Sequence, residues 1–292
     1  MKINDYFSPA SLEDALSLLT EQSGTAKIVA GGTDVMVQAR RGICKDVSLV
    51  DITGIEELHG ISLDREGNLH IGACTSHTEI MESSFVQGHS PVVAEAVSKI
   101  GSVQIRNMGT LGGNIASASP SADSSPALLA LEACVVVEGM SGSRKIPISG
   151  FFSGPNKTVL SQTEIIREIV IPSAKGAGTA FHKHSRRVVM DLPTVNCSVK
   201  VFVDPKTGMI LDATVAMGAV APTPVVLVEV SESLKGSRCE DSLFSVLNKK
   251  AMDKVAPRRG SMRASQEYRT DMIGVVLKET IKKAYKRALN SK

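Results

Sequence analysis

Residues Gln104–Leu131 read QIRNMGTLGGNIASASPSADSSPALLAL, and the interpretation of the chain begins there. The first half of this stretch is rich in glycine, serine and asparagine, and its apolar residues follow no helical period. We therefore predict an irregular segment over Gly101–Asp123. It is long for a loop inside a compact domain, which makes it a candidate functional site. A helix over Pro126–Leu131 and a strand over Ala133–Glu138 are predicted to follow.

A second glycine-rich segment, VAGGTD, lies near the start of the chain at Val29–Asp34. Successive backbone N–H groups without a Cβ nearby can form a concave site for phosphate oxygens. Two such loops facing each other could supply the many donors that a diphosphate needs. The alternative is that each Gly-Gly pair only marks a tight turn, and for either loop alone the turn is the better reading. Neither segment fits the G-x-G-x-x-G or Walker A patterns.

Composition limits the classes of protein. The 292 residues are enough for about two domains or three small ones. With 42% hydrophobic and 22% charged residues, the chain reads as an ordinary folded protein. The net charge of +3 and the 3% aromatic content without tryptophan give no support for nucleic-acid binding. Five scattered cysteines suggest buried thiols rather than a zinc site or an iron–sulfur cluster.

Hydropathy and local patterns predict an α+β protein in the cytoplasm. No apolar run approaches the roughly 20 residues that span a bilayer, and the first residues lack the apolar core of a signal peptide. Ser11 is predicted to cap the first helix. The other predicted helices and strands are helices over Val35–Arg41, Ser90–Lys99, Ser242–Lys254 and Gln266–Leu289, and strands over Ala26–Ala30, Val47–Ile52, Asn68–Ala73, Ile165–Ile171, Thr194–Val203 and Met209–Met217.

A weaker candidate for chemistry is His182-Lys183-His184. Residues at i and i+2 share one side of a strand, so the two imidazoles could face one metal ion. No third ligand is visible, and a structural role is much the better interpretation. No G-x-S-x-G elbow and no H-E-x-x-H motif occurs in the chain.

The segments AGGTDV (Ala30–Val35) and Gln104–Leu131 resemble the FAD-binding subunit of the molybdenum hydroxylases, the family that includes xanthine dehydrogenase. The resemblance covers nearly the whole chain, in order. Its further segments are Gly154–Pro172, Phe181–Asp191, Gly218–Pro224 and the pair Tyr268-Arg269.

The resemblance implies a fold in three parts. An α/β lobe over residues 1–55 and an α+β lobe over residues 56–175 would hold FAD between them. Residues 176–292 would form a small antiparallel sheet packed on helices. The residues that the resemblance assigns to the cofactor belong to the two loops and to three later positions: Lys27, Ile28, Val29, Ala30, Gly31, Gly32, Thr33, Asp34, Gly109, Thr110, Leu111, Gly112, Gly113, Asn114, Asp123, Ile165 and Lys183.

The resemblance also implies a function without a catalytic side chain or a metal ligand on this chain. The subunit would pass electrons through FAD from [2Fe–2S] clusters on a partner chain, itself beside a large molybdopterin-binding chain, to NAD. Arg187–Met190 replaces a more acidic stretch found in some relatives, so the electron acceptor stays open. The alternative is an FAD-free structural or assembly subunit of the same fold.

Overall fold

The computed structural model describes residues 3–44, 46–257 and 264–290. The strands in these ranges are β1 (Ile3–Phe7), β2 (Ala26–Val29), β3 (Val47–Asp51), β4 (Ile61–Leu63), β5 (Leu69–Gly72), β6 (Cys134–Gly139), β7 (Gly142–Pro147), β8 (Phe152–Gly154), β9 (Lys157–Thr158), β10 (Ile165–Ile171), β11 (Gly178–His184), β12 (Val195–Val203), β13 (Ile210–Gly218) and β14 (Val225–Val226). The helices are α1 (Leu12–Glu21), α2 (Val35–Arg40), α3 (His77–Glu82), α4 (Ser84–His89), α5 (Pro91–Ser98), α6 (Val103–Met108), α7 (Leu111–Ala116), α8 (Ser124–Ala130), α9 (Val228–Leu234), α10 (Leu243–Met252) and α11 (Gln266–Asn290).

The N-terminal part is a three-stranded parallel sheet in the order β1-β3-β2. Ser11 caps α1 as predicted, because its hydroxyl accepts a hydrogen bond from the Asp14 N–H at 3.1 Å. The apolar face of α1 then buries Ala15 and Leu19 against residues that include Val50. This packing fixes the sheet whose strand β2 leads directly into the first glycine segment.

The central part is a five-stranded antiparallel sheet in the order β4-β5-β10-β6-β7. Its core also takes in the apolar faces of α3, α5, α7 and α8. The outer strand β7 alternates poorly and is mostly exposed, whereas β10 in the centre is largely buried. The central position of β10 fits its β-branched run, since both of its edges are paired and four of its isoleucines are buried.

The C-terminal part is an antiparallel sheet in the order β11-β12-β13-β14, and the long helix α11 packs across β11 and β12. The predicted hairpin of β12 and β13 is confirmed. Gly178 lets helix and sheet approach closely, because a Cβ there would lie 2.1 Å from the Ala284 carbonyl oxygen. The sheet and its helices share one apolar core.

The prediction of an irregular segment over Gly101–Asp123 is wrong in part, because α6 and α7 lie inside it. Both helices are short and begin at a hydroxyl cap. The Ser102 hydroxyl accepts from the Ile105 N–H at 3.3 Å, and the Thr110 hydroxyl accepts from the Gly113 N–H at 3.1 Å. Capping and tertiary packing therefore override the low helix propensity of glycine and serine.

The predicted α+β class with a two-lobed first module and a C-terminal sheet on helices is confirmed. Each sheet lies within one of the three predicted parts, and we keep the boundaries at residues 55 and 175 as a proposal. Across the described ranges, no helix combines the length and the apolar character needed to cross a bilayer.

Candidate functional site

The first loop, Gly31–Asp34, follows the carboxyl end of β2 in the parallel sheet. This is the edge at which open α/β sheets bind ligands. Gly32 has a φ of +65°, a left-handed conformation that glycine adopts without steric cost. The chain turns there and enters α2 one residue after Asp34.

Backbone donors are free in this loop. Within the described part of the chain, the N–H groups of Gly31, Gly32, Thr33 and Asp34 donate no hydrogen bond. These four residues are half-buried or exposed, so their N–H groups are open to solvent or to a ligand. They leave a row of donors for an anion.

The second loop, Gly109–Asn114, is built differently, and this corrects the prediction that its N–H groups are free. The Leu111 N–H donates to Thr75 O at 3.1 Å, and the Gly112 N–H donates to Ala73 O at 2.9 Å. The Gly113 N–H is used by the Thr110 cap, and the Asn114 N–H donates to Thr110 O. The glycines here permit close packing: a Cβ on Gly112 would lie 2.7 Å from the Ala73 carbonyl oxygen.

The two loops contact each other directly. A Cβ on Gly31 would lie 1.5 Å from the Met108 carbonyl oxygen and 3.0 Å from the Gly109 nitrogen. Only glycine therefore fits at residue 31. The Ser117 hydroxyl, just beyond the second loop, donates to Asp34 Oδ2 at 2.9 Å. We call the Met108–Gly109 segment, which presses on Gly31, the corner.

Asp123 and Lys183 form a buried ion pair between the central and C-terminal parts. Lys183 Nζ lies 2.6 Å from Asp123 Oδ2, and the two side chains are only 6% and 4% exposed. Lys183 also donates to Lys99 O at 2.9 Å. The Asn196 amide donates to the other carboxylate oxygen, Asp123 Oδ1, at 2.9 Å.

Burial raises the pKa of the Asp123 carboxyl, and the nearby Lys183 ammonium and Asn196 amide offset part of that rise. Removing either charge would leave the other buried without an opposite charge, which is strongly destabilising. The pair therefore fixes β11 against the N-terminal end of α8.

The remaining residues of the predicted site do not all meet at the loops. Lys27, Ile28 and Val29 lie along β2, and Ile28 and Ala30 pack on the N-terminal core. Ile165 begins β10 with 1% exposure, and its side chain belongs to the same core.

The two imidazoles of the weaker candidate have separate partners. His182 Nδ1 lies 3.3 Å from Glu279, and His184 Nε2 lies 2.9 Å from the Tyr268 hydroxyl. Two rings engaged with different side chains do not form the beginning of a metal site. In the described part of the chain, no cluster of three metal-ligating side chains is found.

His77 was not among the residues that the sequence analysis assigned to the site. It begins α3, is 2% exposed, and its backbone N–H donates to Gly109 O at 2.9 Å. Burial, together with the charge of Arg106, lowers the pKa of His77 to about 4, so the imidazole is neutral at neutral pH. The only signal in the sequence was the capping box that Ser76 and Glu79 form around it.

The geometry fits a cofactor with a diphosphate. The first loop offers a row of unpaired N–H groups. The second loop, in which the N–H groups of residues 109 and 111–114 have acceptors, packs against it. Successive backbone N–H groups without acceptors can bind phosphate oxygens.

Comparison with known proteins decides the family. Residues 1–174 match the family described as the FAD binding domain in molybdopterin dehydrogenase. The chain belongs to this family of FAD-binding subunits of molybdenum hydroxylases. Residues 179–284 match a second family, the CO dehydrogenase flavoprotein C-terminal domain. The predicted family and the predicted cofactor, FAD, are thus confirmed.

Individual relatives match this chain along nearly its full length. The chain is 34% identical to the xanthine dehydrogenase FAD-binding subunit of Escherichia coli O157:H7, covering 96% of this chain and 95% of that one. It is 31% identical to the carbon monoxide dehydrogenase medium chain of Hydrogenophaga pseudoflava, covering 97% of both.

Solved structures give the same result. A structure of carbon monoxide dehydrogenase from Hydrogenophaga pseudoflava superposes with a TM-score of 0.94 at 31% identity, covering 98% of each chain. Quinoline 2-oxidoreductase from Pseudomonas putida 86 superposes with a TM-score of 0.91 at 25% identity, covering 99% of this chain and 100% of that one. The chain is therefore a subunit of the FAD-dependent oxidoreductase kind.

Proposed function

We propose that this subunit passes electrons through bound FAD, from [2Fe–2S] clusters on a partner chain to NAD, in a xanthine dehydrogenase-type complex with a large molybdopterin-binding chain. The observation that carries the cofactor's placement is the row of four unpaired N–H groups on the first loop. FAD, when bound, supplies the redox chemistry, and the protein supplies binding and orientation.

The first loop would hold the diphosphate through its N–H groups, and the Thr33 hydroxyl adds a further donor. The second loop would form the wall behind it, with the Asn114 side chain oriented by the Ser124 hydroxyl, which donates to it at 2.6 Å. Asp123 and Lys183 would fix the C-terminal part against this site. Lys27, Ile28, Val29, Ala30 and Ile165 complete the proposed set as residues that shape the lobes around the cofactor.

The need for a partner follows from the cysteines. All five in this chain are free, and three of them, Cys44, Cys74 and Cys197, are buried. A cluster held by thiolates would therefore belong to another chain. Free thiols also fit a reducing compartment, so we place the complex in the cytoplasm, away from membrane and nucleic acid.

Support for a dinucleotide acceptor comes from a cleft of about 260 Å³ lined by Ile105, Arg186 and Arg187 among others. Both arginines are exposed. Guanidinium groups bind phosphate oxygens well, and Ile105, Met190 and Leu192 supply an apolar part of the lining beside the Asp191 carboxylate.

The experiment has two parts. First, the chain is co-expressed with a cluster-bearing and a molybdopterin-binding subunit, and the mass of the complex is measured by light scattering. Second, NADH is added anaerobically to the FAD-loaded chain, and the loss of visible flavin absorbance is followed. We expect a three-chain complex and rapid bleaching.

A double variant tests the reaction with NADH separately from the binding of FAD. Arg186→Ala/Arg187→Ala should slow bleaching by NADH at least tenfold with FAD still bound, whereas the exposed Arg65→Ala should not. Bleaching by dithionite but not by NADH would reject NAD as the acceptor. A chain that takes up no FAD would favour the structural-subunit alternative, and a flavin chain that elutes alone would reject the complex.

A further inference from the structure

His77 is a buried titratable side chain for which the proposed function has no use. Its Nδ1 has no hydrogen-bond partner in the described part of the chain. Leaving a buried polar group unsatisfied costs about 1–3 kcal/mol, so such a group calls for an explanation. The role of the side chain is inferred from what the ring touches.

The first turn of α3 contacts the corner at two points and the preceding residue, Asn107, at a third. The His77 backbone N–H donates to Gly109 O at 2.9 Å, and the Thr78 hydroxyl donates to Asn107 Oδ1 at 2.6 Å. The imidazole packs directly against Gly109: a Cβ built there would lie 3.2 Å from His77 Cδ2.

The same corner limits the position of Gly31 in the first loop. The Met108 carbonyl and the Gly109 nitrogen are the atoms that a Cβ on Gly31 would meet. A shift of the corner by a few tenths of an ångström would therefore move Gly31 and the N–H groups that follow it. Close packing transmits such shifts rather than absorbing them.

We propose that His77 is a positioning residue that sets the FAD-binding geometry of the first loop through the Met108–Gly109 corner. The proposal rests on the placement of the FAD diphosphate on Gly31–Asp34 given above. His77 acts without touching the cofactor. As a neutral ring, it adds no second charge beside Arg106.

The test titrates FAD and, separately, ADP as a diphosphate probe into the full-length chain carrying His77→Ala. The matched control is Val86→Ala, which opens a cavity in the same core from the fully buried position on α4. We expect His77→Ala to raise the Kd for both ligands at least tenfold. Val86→Ala should change them less than twofold at a similar loss of thermal stability.

A second readout separates positioning from simple loss of stability. At saturating FAD, the visible circular dichroism of the flavin should change shape in His77→Ala and not in Val86→Ala. If the alanine variant fails to fold, His77→Leu carries the test, because it fills the space and still lacks the flat ring. Unchanged Kd and unchanged circular dichroism in the folded His77 variant would overturn the proposal.

Gly32→Ala tests the placement of the diphosphate separately from the role of His77. If Gly32→Ala binds FAD and ADP as the unmutated chain does, the placement of the diphosphate fails, and the role of His77 fails with it. If Gly32→Ala weakens binding and the His77 variants do not, only the role of His77 is rejected.

Discussion

The first loop, Gly31–Asp34, and the second loop, Gly109–Asn114, each contain a Gly-Gly pair, but their backbones are bonded in opposite ways. In the first loop, four successive N–H groups have no acceptor within the described chain. In the second, the N–H groups of residues 111–114 all have acceptors inside the protein. The first loop presents free donors, and the second loop packs against it with its own donors already bonded.

The difference teaches that a glycine pair does not by itself identify a phosphate site. Glycine permits a positive φ, a close approach of two backbones, or an open donor row, and only the third needs a ligand. Gly32 serves the turn, whereas Gly31 and Gly112 serve close packing. Each use predicts a different consequence of adding one methyl group.

Gly31→Ala should have the largest effect. Its Cβ would overlap the Met108 carbonyl oxygen at 1.5 Å, and neither backbone can yield without separating the two lobes. We expect a loss of more than about 4 kcal/mol in the free energy of unfolding and no measurable FAD binding. Chemical denaturation and FAD titration check this, and a variant of ordinary stability would show that the lobes do not meet at Gly31.

Gly112→Ala should come next, as a pure packing defect. The new Cβ would lie 2.7 Å from both the carbonyl oxygen and the Cβ of Ala73. We expect about 2 kcal/mol of destabilisation, typical of overpacking in a core. The midpoint of urea unfolding measures it. Ala73→Gly should restore part of the loss in the double variant, and a lack of coupling would argue against the contact.

Gly32→Ala tests the donor loop itself. Gly32 at φ +65° and Gly42 at φ +72° both have left-handed backbones, so alanine at either should cost about 1–2 kcal/mol. Gly42 follows the end of α2 and serves as the matched control, because a Cβ there would meet no atom within 4 Å. Only Gly32→Ala should also weaken FAD binding, by at least tenfold. Equal affinities in the two variants would remove the first loop from the site.

Much of the fold was predictable from local signals. The Ser11 cap, the hairpin of β12 and β13 and the β-branched run of β10 each carry a strong pattern, and each is confirmed. The helices α6 and α7 were not predicted. Their residues have weak helix propensity, and the caps at Ser102 and Thr110 become decisive only when packing supplies the rest.

The candidate site was predictable as a set of segments but not as a geometry. The motifs indicated two glycine loops, and nothing local distinguished the bonded loop from the free one. The acceptors for Leu111 and Gly112 lie on Thr75 and Ala73, far away in sequence. The same holds for Lys183, whose partner Asp123 is 60 residues away. Long-range partners of this kind become visible only in the folded chain.

The smallest expected effect belongs to Gly113→Ala. Alanine in a helix gains about 1 kcal/mol over glycine. The nearest atom to the new Cβ is the Thr110 hydroxyl at 3.0 Å, a tight contact that offsets the gain. We therefore expect stability within about 0.5 kcal/mol of the unmutated chain. Because the Gly113 N–H already donates to Thr110, the FAD Kd should change less than threefold, against at least tenfold for Gly32→Ala. A loss of affinity at residue 113 as large as at residue 32 would mean that the second loop also presents its backbone to the cofactor, and the contrast between the loops would fail.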